Sequence, residues 1–131
     1  MDQKEKNKTL KKIFIKSFGC QMNEYDSQRM YDITSKINYK KSNEFNNKVN
    51  CVVLNTCHIR EKASEKLFHE VGRIKKIFKN TKKPIVIVAG CVAQAEGNYI
   101  TKRENYVDAI VGPQSYHKLN RIIKELEKKD D

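Results

Sequence analysis

Apolar residues are laid along this chain in two rhythms that take turns. Four short runs, rich in Val and Ile and bounded by Gly, Asn or Pro, read as buried strands. They are Ile13 to Phe18, Val49 to Leu54, Ile85 to Ala89 and Tyr106 to Val111. Between them the apolar spacing changes to that of a helix. After the first run, Tyr25, Met30, Ile33 and Ile37 suggest a helix with one face inward. After the second, Ala63, Leu67, Val71, Ile74 and Phe78 step by four, four, three and four, which predicts a helix over about Arg60 to Lys79. Lys82-Lys83-Pro84 stops it. A shorter helix is expected over Val92 to about Arg103, with Gly97 a weak point. A last one starts at Gln114, carries Tyr116, Leu119, Ile122, Ile123 and Leu126 on one face, and frays at Lys128.

Residues 38–49 are rich in Asn, Lys and Ser and read as a loop with room for a short edge strand. Residues 1–11 are polar and charged and read as a flexible basic tail. Strict β-α alternation implies parallel strands, right-handed crossovers and helices on both faces. The expected fold is a single α/β domain over residues 12–131. Its core is a doubly wound, mostly parallel sheet of four to five strands. There are no internal repeats and no low-complexity linker.

At 131 residues the chain can bury one real core. It has no 18-residue apolar stretch and no apolar segment of signal-peptide type at its start, so a cytoplasmic protein without membrane attachment is expected. The formal charge is +11, and Arg73, Lys75, Lys76, Lys79, Lys82 and Lys83 form a stretch without an acidic residue. Such a stretch attracts phosphate backbones; a solvated lysine face is the plain alternative, and charge alone does not separate them.

The cysteines change the picture most. Cys20, Cys57 and Cys91 each follow an apolar run immediately or nearly so, Cys20 and Cys91 directly after a glycine. If the three strands lie parallel in one sheet, their thiols emerge along its carboxyl edge, where open α/β sheets place their chemistry. Spacings of 31, 6 and 34 residues along the four cysteines contain no CxxC pair, against a zinc ribbon or a thioredoxin-type centre. A thiolate triad suits zinc, copper or iron–sulfur. Ligands drawn singly from three distant loops fit a cluster best, with one iron left open. The glycines let the backbone approach a bulky group. Cys51 lies six residues before Cys57 on an extended strand, about 20 Å away, and reads as a buried hydrophobe. His58, His69 and His117 have no metal-pair spacing.

Three strings make a family visible. Phe18-Gly-Cys-Gln-Met-Asn-Glu-Tyr-Asp-Ser27, Leu54-Asn-Thr-Cys-His-Ile-Arg-Glu-Lys-Ala63 and Val88-Ala-Gly-Cys-Val-Ala-Gln94 resemble the N-terminal domain of radical-SAM tRNA methylthiotransferases of the MiaB type. Ala109-Ile-Val-Gly-Pro-Gln114 fits that domain's last strand-to-helix turn, and the resemblance runs from about Lys12 to Leu126. It implies that Cys20, Cys57 and Cys91 ligate an auxiliary [4Fe–4S] cluster whose open iron holds sulfur. That sulfur is destined for C2 of N6-isopentenyladenosine at position 37 of tRNA. Asn23, Asn55, Arg60 and Gln94 flank the ligands and are candidates for hydrogen bonding around the cluster or for substrate contact; no residue is assigned a catalytic role.

The family's second [4Fe–4S] cluster, which cleaves S-adenosylmethionine, uses a CxxxCxxC motif in a following barrel. No such motif occurs here, and the few residues after Leu126 cannot form a barrel. The expectation is a domain that lacks the radical-generating half and the C-terminal RNA-binding domain, is inactive alone, and works beside a radical-SAM domain in cis or in a companion chain. A monomer that meets tRNA is expected. Two other readings are a non-catalytic basic RNA- or partner-binding module and a redox-sensing thiol domain.

Overall fold

A computed structural model of the chain describes residues 11–18, 22–56, 61–90, 102 and 105–130. Five strands form one parallel sheet: β1 (Lys11–Phe18), β2 (Tyr39–Lys41), β3 (Cys51–Thr56), β4 (Ile85–Gly90) and β5 (Ala109–Val111). The helices are α1 (Met22–Ser35), α2 (Glu61–Ile77) and α3 (Leu119–Asp130), the last preceded by a 3-10 turn over Pro113–Lys118. Strand order is β2-β1-β3-β4-β5, with every neighbouring pair parallel. The order reverses between β1 and β3, which makes that crevice the switch point of a doubly wound sheet.

Register sorts the side chains into two layers. Ile13, Cys51 and Ile85 are lateral partners, as are Ile15, Val53 and Ile87. These rows pack against Met30 of α1 and Leu119 and Ile123 of α3. The alternate positions Val52, Leu54, Val86 and Val88 meet Leu67, Val71, Ile74 and Phe78, the stripe read from the sequence of α2. A strand buried on both faces has no polar alternation, which is why β3 and β4 are continuous apolar runs.

Several boundaries differ from the sequence reading. The β3 strand runs from Cys51 rather than Val49 and continues through Thr56, so it ends directly before Cys57. Lys11, placed in the tail from the sequence, already belongs to β1: its N–H donates to the Asn38 carbonyl at 2.9 Å. The fourth run shortens to Ala109–Val111 because Asp108 turns its side chain into the sheet, accepting the Val86 N–H at 2.9 Å. Helix α3 continues to Asp130 rather than fraying at Lys128.

Tyr25 does not face inward; it is 73% exposed. A step of five from Tyr25 to Met30 breaks the helical period. The inner stripe instead runs through Ser27, Met30 and Thr34, all buried. Of the helix expected over Val92 to Arg103, Lys102 is helical and the rest lies outside the described residues.

Candidate functional site

The carboxyl edge of the sheet is built by its three central strands. Phe18, Thr56 and Gly90, the last residues of β1, β3 and β4, are lateral Cα partners in one row. At about 4.8 Å between neighbouring strands, the three ends lie within about 10 Å of one another. In the chain, Cys57 follows Thr56, Cys91 follows Gly90, and Cys20 comes two residues after Phe18. Cys20, Cys57, Cys91, Arg60 and Gln94 themselves lie outside the described residues, as do the Asn23 side chain, His58 and Gly19.

Gly90 has φ 104°, a conformation that side chains rarely adopt. The glycine before Cys91 is therefore a requirement of the backbone. Beneath the same edge Asn55 is fully buried. Its Nδ2 donates to Ser27 Oγ at 3.1 Å, and the Ser27 and Ser17 hydroxyls are 2.7 Å apart. Ser17 and Asn55 are lateral partners on β1 and β3. One small polar chain thus ties β1, α1 and β3 together at the switch point. The motif exposed Asn55 as a candidate. Ser17 and Ser27 escaped notice, since a serine at an inward helical position leaves no periodic signal.

On the other face Lys16 Nζ reaches Glu70 Oε1 at 3.1 Å and Arg73 Nη1 reaches the same oxygen at 3.3 Å. Glu70, 7% exposed, is the buried anion of this trio. It explains a lysine in the middle of β1.

Cys51 sits at the opposite end of β3, fully buried. Burial pushes its thiol well above the ordinary value. The charges of Asp108 and Glu127 add to this, and Lys83 opposes it. A thiol held neutral in a dry core is a poor metal ligand. His69 and His117 are exposed on the surface. Among the described residues no group of three or more His, Cys, Asp or Glu could hold a metal ion, and no helix among them is long and apolar enough to cross a membrane.

A parallel sheet with this order, a cysteine following each of its three central strands in the sequence, defines an α/β domain whose candidate site is that carboxyl edge. Residues 12–112 match the uncharacterized protein family UPF0004, and the chain belongs to that family. It is 62% identical over 114 residues to a protein of Pelagibacter ubique (strain HTCC1062) named tRNA-2-methylthio-N(6)-dimethylallyladenosine synthase. That alignment covers 87% of this chain and 25% of the relative. Proteins of the same name from Rickettsia canadensis (strain McKiel) and Buchnera aphidicola subsp. Acyrthosiphon pisum (strain APS) are each 50% identical. They cover 88% and 92% of this chain, and 27% of each relative is matched. The chain spans about a quarter of the length of these curated relatives.

Proposed function

We propose that this chain is the sulfur-holding domain of a tRNA methylthiotransferase, with Cys20, Cys57 and Cys91 as the three protein ligands of an auxiliary [4Fe–4S] cluster. The observation that carries the reading is the row Phe18, Thr56, Gly90: three adjacent strands ending side by side, each leading into a cysteine. The donor set fits the group, since thiolates are the standard ligands of such clusters and three of them leave one iron open. Gly90, with its positive φ, offers the close backbone approach that a bulky inorganic group needs. When bound, the cluster supplies an open iron at which sulfur is held.

The protein's own share is to position. Ser17, Ser27 and Asn55 tie the ends of β1 and β3, which Cys20 and Cys57 follow in the sequence, to α1. Helix α1 begins at Met22, two residues after Cys20 in the sequence, its N-terminal amides favouring an anionic group nearby. The names of the relatives carry tRNA and a 2-methylthio-N(6)-dimethylallyladenosine product; the proposed substrate is accordingly C2 of N6-isopentenyladenosine, and position 37 of tRNA and a cytoplasmic location are part of the proposal. The S-adenosylmethionine-cleaving cluster and its barrel belong to a further segment or a companion chain, and this chain works as a monomer beside it.

Anaerobic reconstitution with iron and sulfide tests the assignment. The expected result is about four irons per chain, lost in each of the Cys20→Ala, Cys57→Ala and Cys91→Ala variants and kept in Cys51→Ala. Full iron content in any of the first three overturns it. A folded chain that takes up no iron but binds RNA would instead favour the non-catalytic basic module.

A further inference from the structure

The sheet has a second working end. At the amino ends of β1, β3 and β4, roughly 17–20 Å of strand away from the cysteine edge, lies a cleft of about 250 Å³. Among the described residues, Lys11, Lys48, Lys82 and Lys83 line it with Glu127 as the one carboxylate. That carboxylate is already engaged, accepting from Tyr39 Oη at 2.5 Å and from Lys11 Nζ at 3.1 Å. Lys83 is held at the rim by Asp108, by the Pro84 carbonyl at 3.1 Å and by the Tyr106 ring, whose centroid is 4.7 Å from its Nζ. Lys75, on the last turn of α2, lies 5.6 Å from the same ring.

Tyr106 therefore joins the cleft to the end of α2, where Lys75, Lys76 and Lys79 are exposed. From Val71 to Ala95 the chain contains no acidic residue. The basic stretch seen in the sequence divides here. Arg73 turns away into the ion pair with Glu70, while the lysines continue over Tyr106 into the cleft as one surface. Glu127 and Asp108 pair with Lys11 and Lys83, and Lys48, Lys76 and Lys79 are exposed on the same surface, a concentration of positive charge that favours the approach of a polyanion. The cations are all lysines. Lysine is a point charge that meets a phosphate at any angle, whereas carboxylate recognition favours the planar fork of arginine.

We propose that this amino edge is a sequence-independent docking surface for the phosphate backbone of RNA, remote from the cysteines. The choice of RNA rests on the proposed tRNA substrate; the surface itself rests on its charge and geometry. Phosphates bound here position the RNA and take no part in the reaction.

The test uses the iron-free full chain and a fluorescein-labelled tRNA anticodon stem–loop, with anisotropy followed across a salt series. The triple variant Lys48→Ala/Lys79→Ala/Lys82→Ala is compared with Arg29→Ala/Lys118→Ala/Arg121→Ala, which removes the same charge from exposed positions on the α1 and α3 side. Each phosphate contact contributes about 0.7–0.9 to the slope of log affinity against log salt. The first variant should therefore lose about 2 from the slope and at least about tenfold in affinity near 0.1 M salt, while the control changes about twofold or less. Lys→Arg at the three positions should restore binding. Equal losses in both triple variants overturn the surface. So does tighter binding of pyrophosphate than of RNA, which makes the cleft a small-anion site, or an equal response to a poly-glutamate peptide, which makes it a protein contact. Iron content, measured in parallel on the reconstituted variants, is unmoved by the surface mutations, so failure of the cluster reading is read separately.

Discussion

Gly90 shows how much a single backbone angle decides at this site. At φ 104° an L side chain is strained by about 1–3 kcal/mol, so Gly90→Ala should lower the unfolding free energy by that amount, read as a lower denaturant midpoint at an unchanged unfolding slope. Glycine before cysteine is legible in the sequence as permission to turn; the structure turns permission into need. Asn55 is the complementary case. Buried and bonded to Ser27 at 3.1 Å, it should cost about 0.5–1.5 kcal/mol when cut to alanine, because a buried hydrogen bond is lost while Ser27 keeps the Ser17 hydroxyl as its partner. Ser27→Ala and Asn55→Ala in one chain should be less damaging than the sum of the two, since both delete the same bond. A strictly additive double-mutant cycle would show that the bond does not couple β3 to α1. The asparagine was visible beside its cysteine, whereas the serine that holds it was hidden by chemistry too small and too polar to mark a helix face.

Among the elements, the strands of the centre were readable and the margins were not. Continuous Val and Ile runs have one reading in a parallel sheet, and the α2 stripe has one reading as a helix. The edge strand Tyr39–Lys41 has no apolar run behind it; it exists because of what touches it. Tyr39 Oη and Lys11 Nζ both donate to Glu127, so one carboxylate ties β1 and β2 to the end of α3. No local pattern can reveal a contact between residues 39 and 127. Burial alone would raise the Glu127 carboxyl. The hydrogen bonds from Tyr39 and Lys11, with the charges of Lys11 and Lys124, outweigh it and hold the group below its usual value of 4.5. A depressed carboxyl stabilises the fold above its unfolded value, and that contribution is lost as pH falls through the folded one. Glu127→Gln should therefore be less stable than the parent near pH 7, with the difference closing as pH falls below about 4. Urea midpoints at several pH values check this, and a difference that is constant with pH would mean the tie is held by packing rather than charge.

At the scale of the molecule, the sheet separates its buried core from the edge that the proposed cluster ligands follow. The buried hydrophobic residues fall into two layers, one on each face, and Cys51 is the cysteine placed among them. The three other thiols follow strand ends that these layers have already fixed. The two kinds of cysteine should accordingly fail in opposite ways. Replacing Cys20, Cys57 and Cys91 together by alanine should abolish iron uptake yet leave helical and strand content and the iron-free unfolding midpoint close to those of the parent. Cys51→Ser should do the reverse. It sets a hydroxyl in a dry site between Ile13 and Ile85, at a cost of about 1–3 kcal/mol, while iron per chain stays unchanged. Circular dichroism, urea unfolding and iron content on the same three proteins, the parent and the two variants, decide the matter. If the triple variant unfolds as readily as Cys51→Ser, the thiols at the strand ends are packing residues of the fold. If instead the two phenotypes separate, the fold is complete without the metal, and the carboxyl edge is a surface that a finished sheet presents for chemistry.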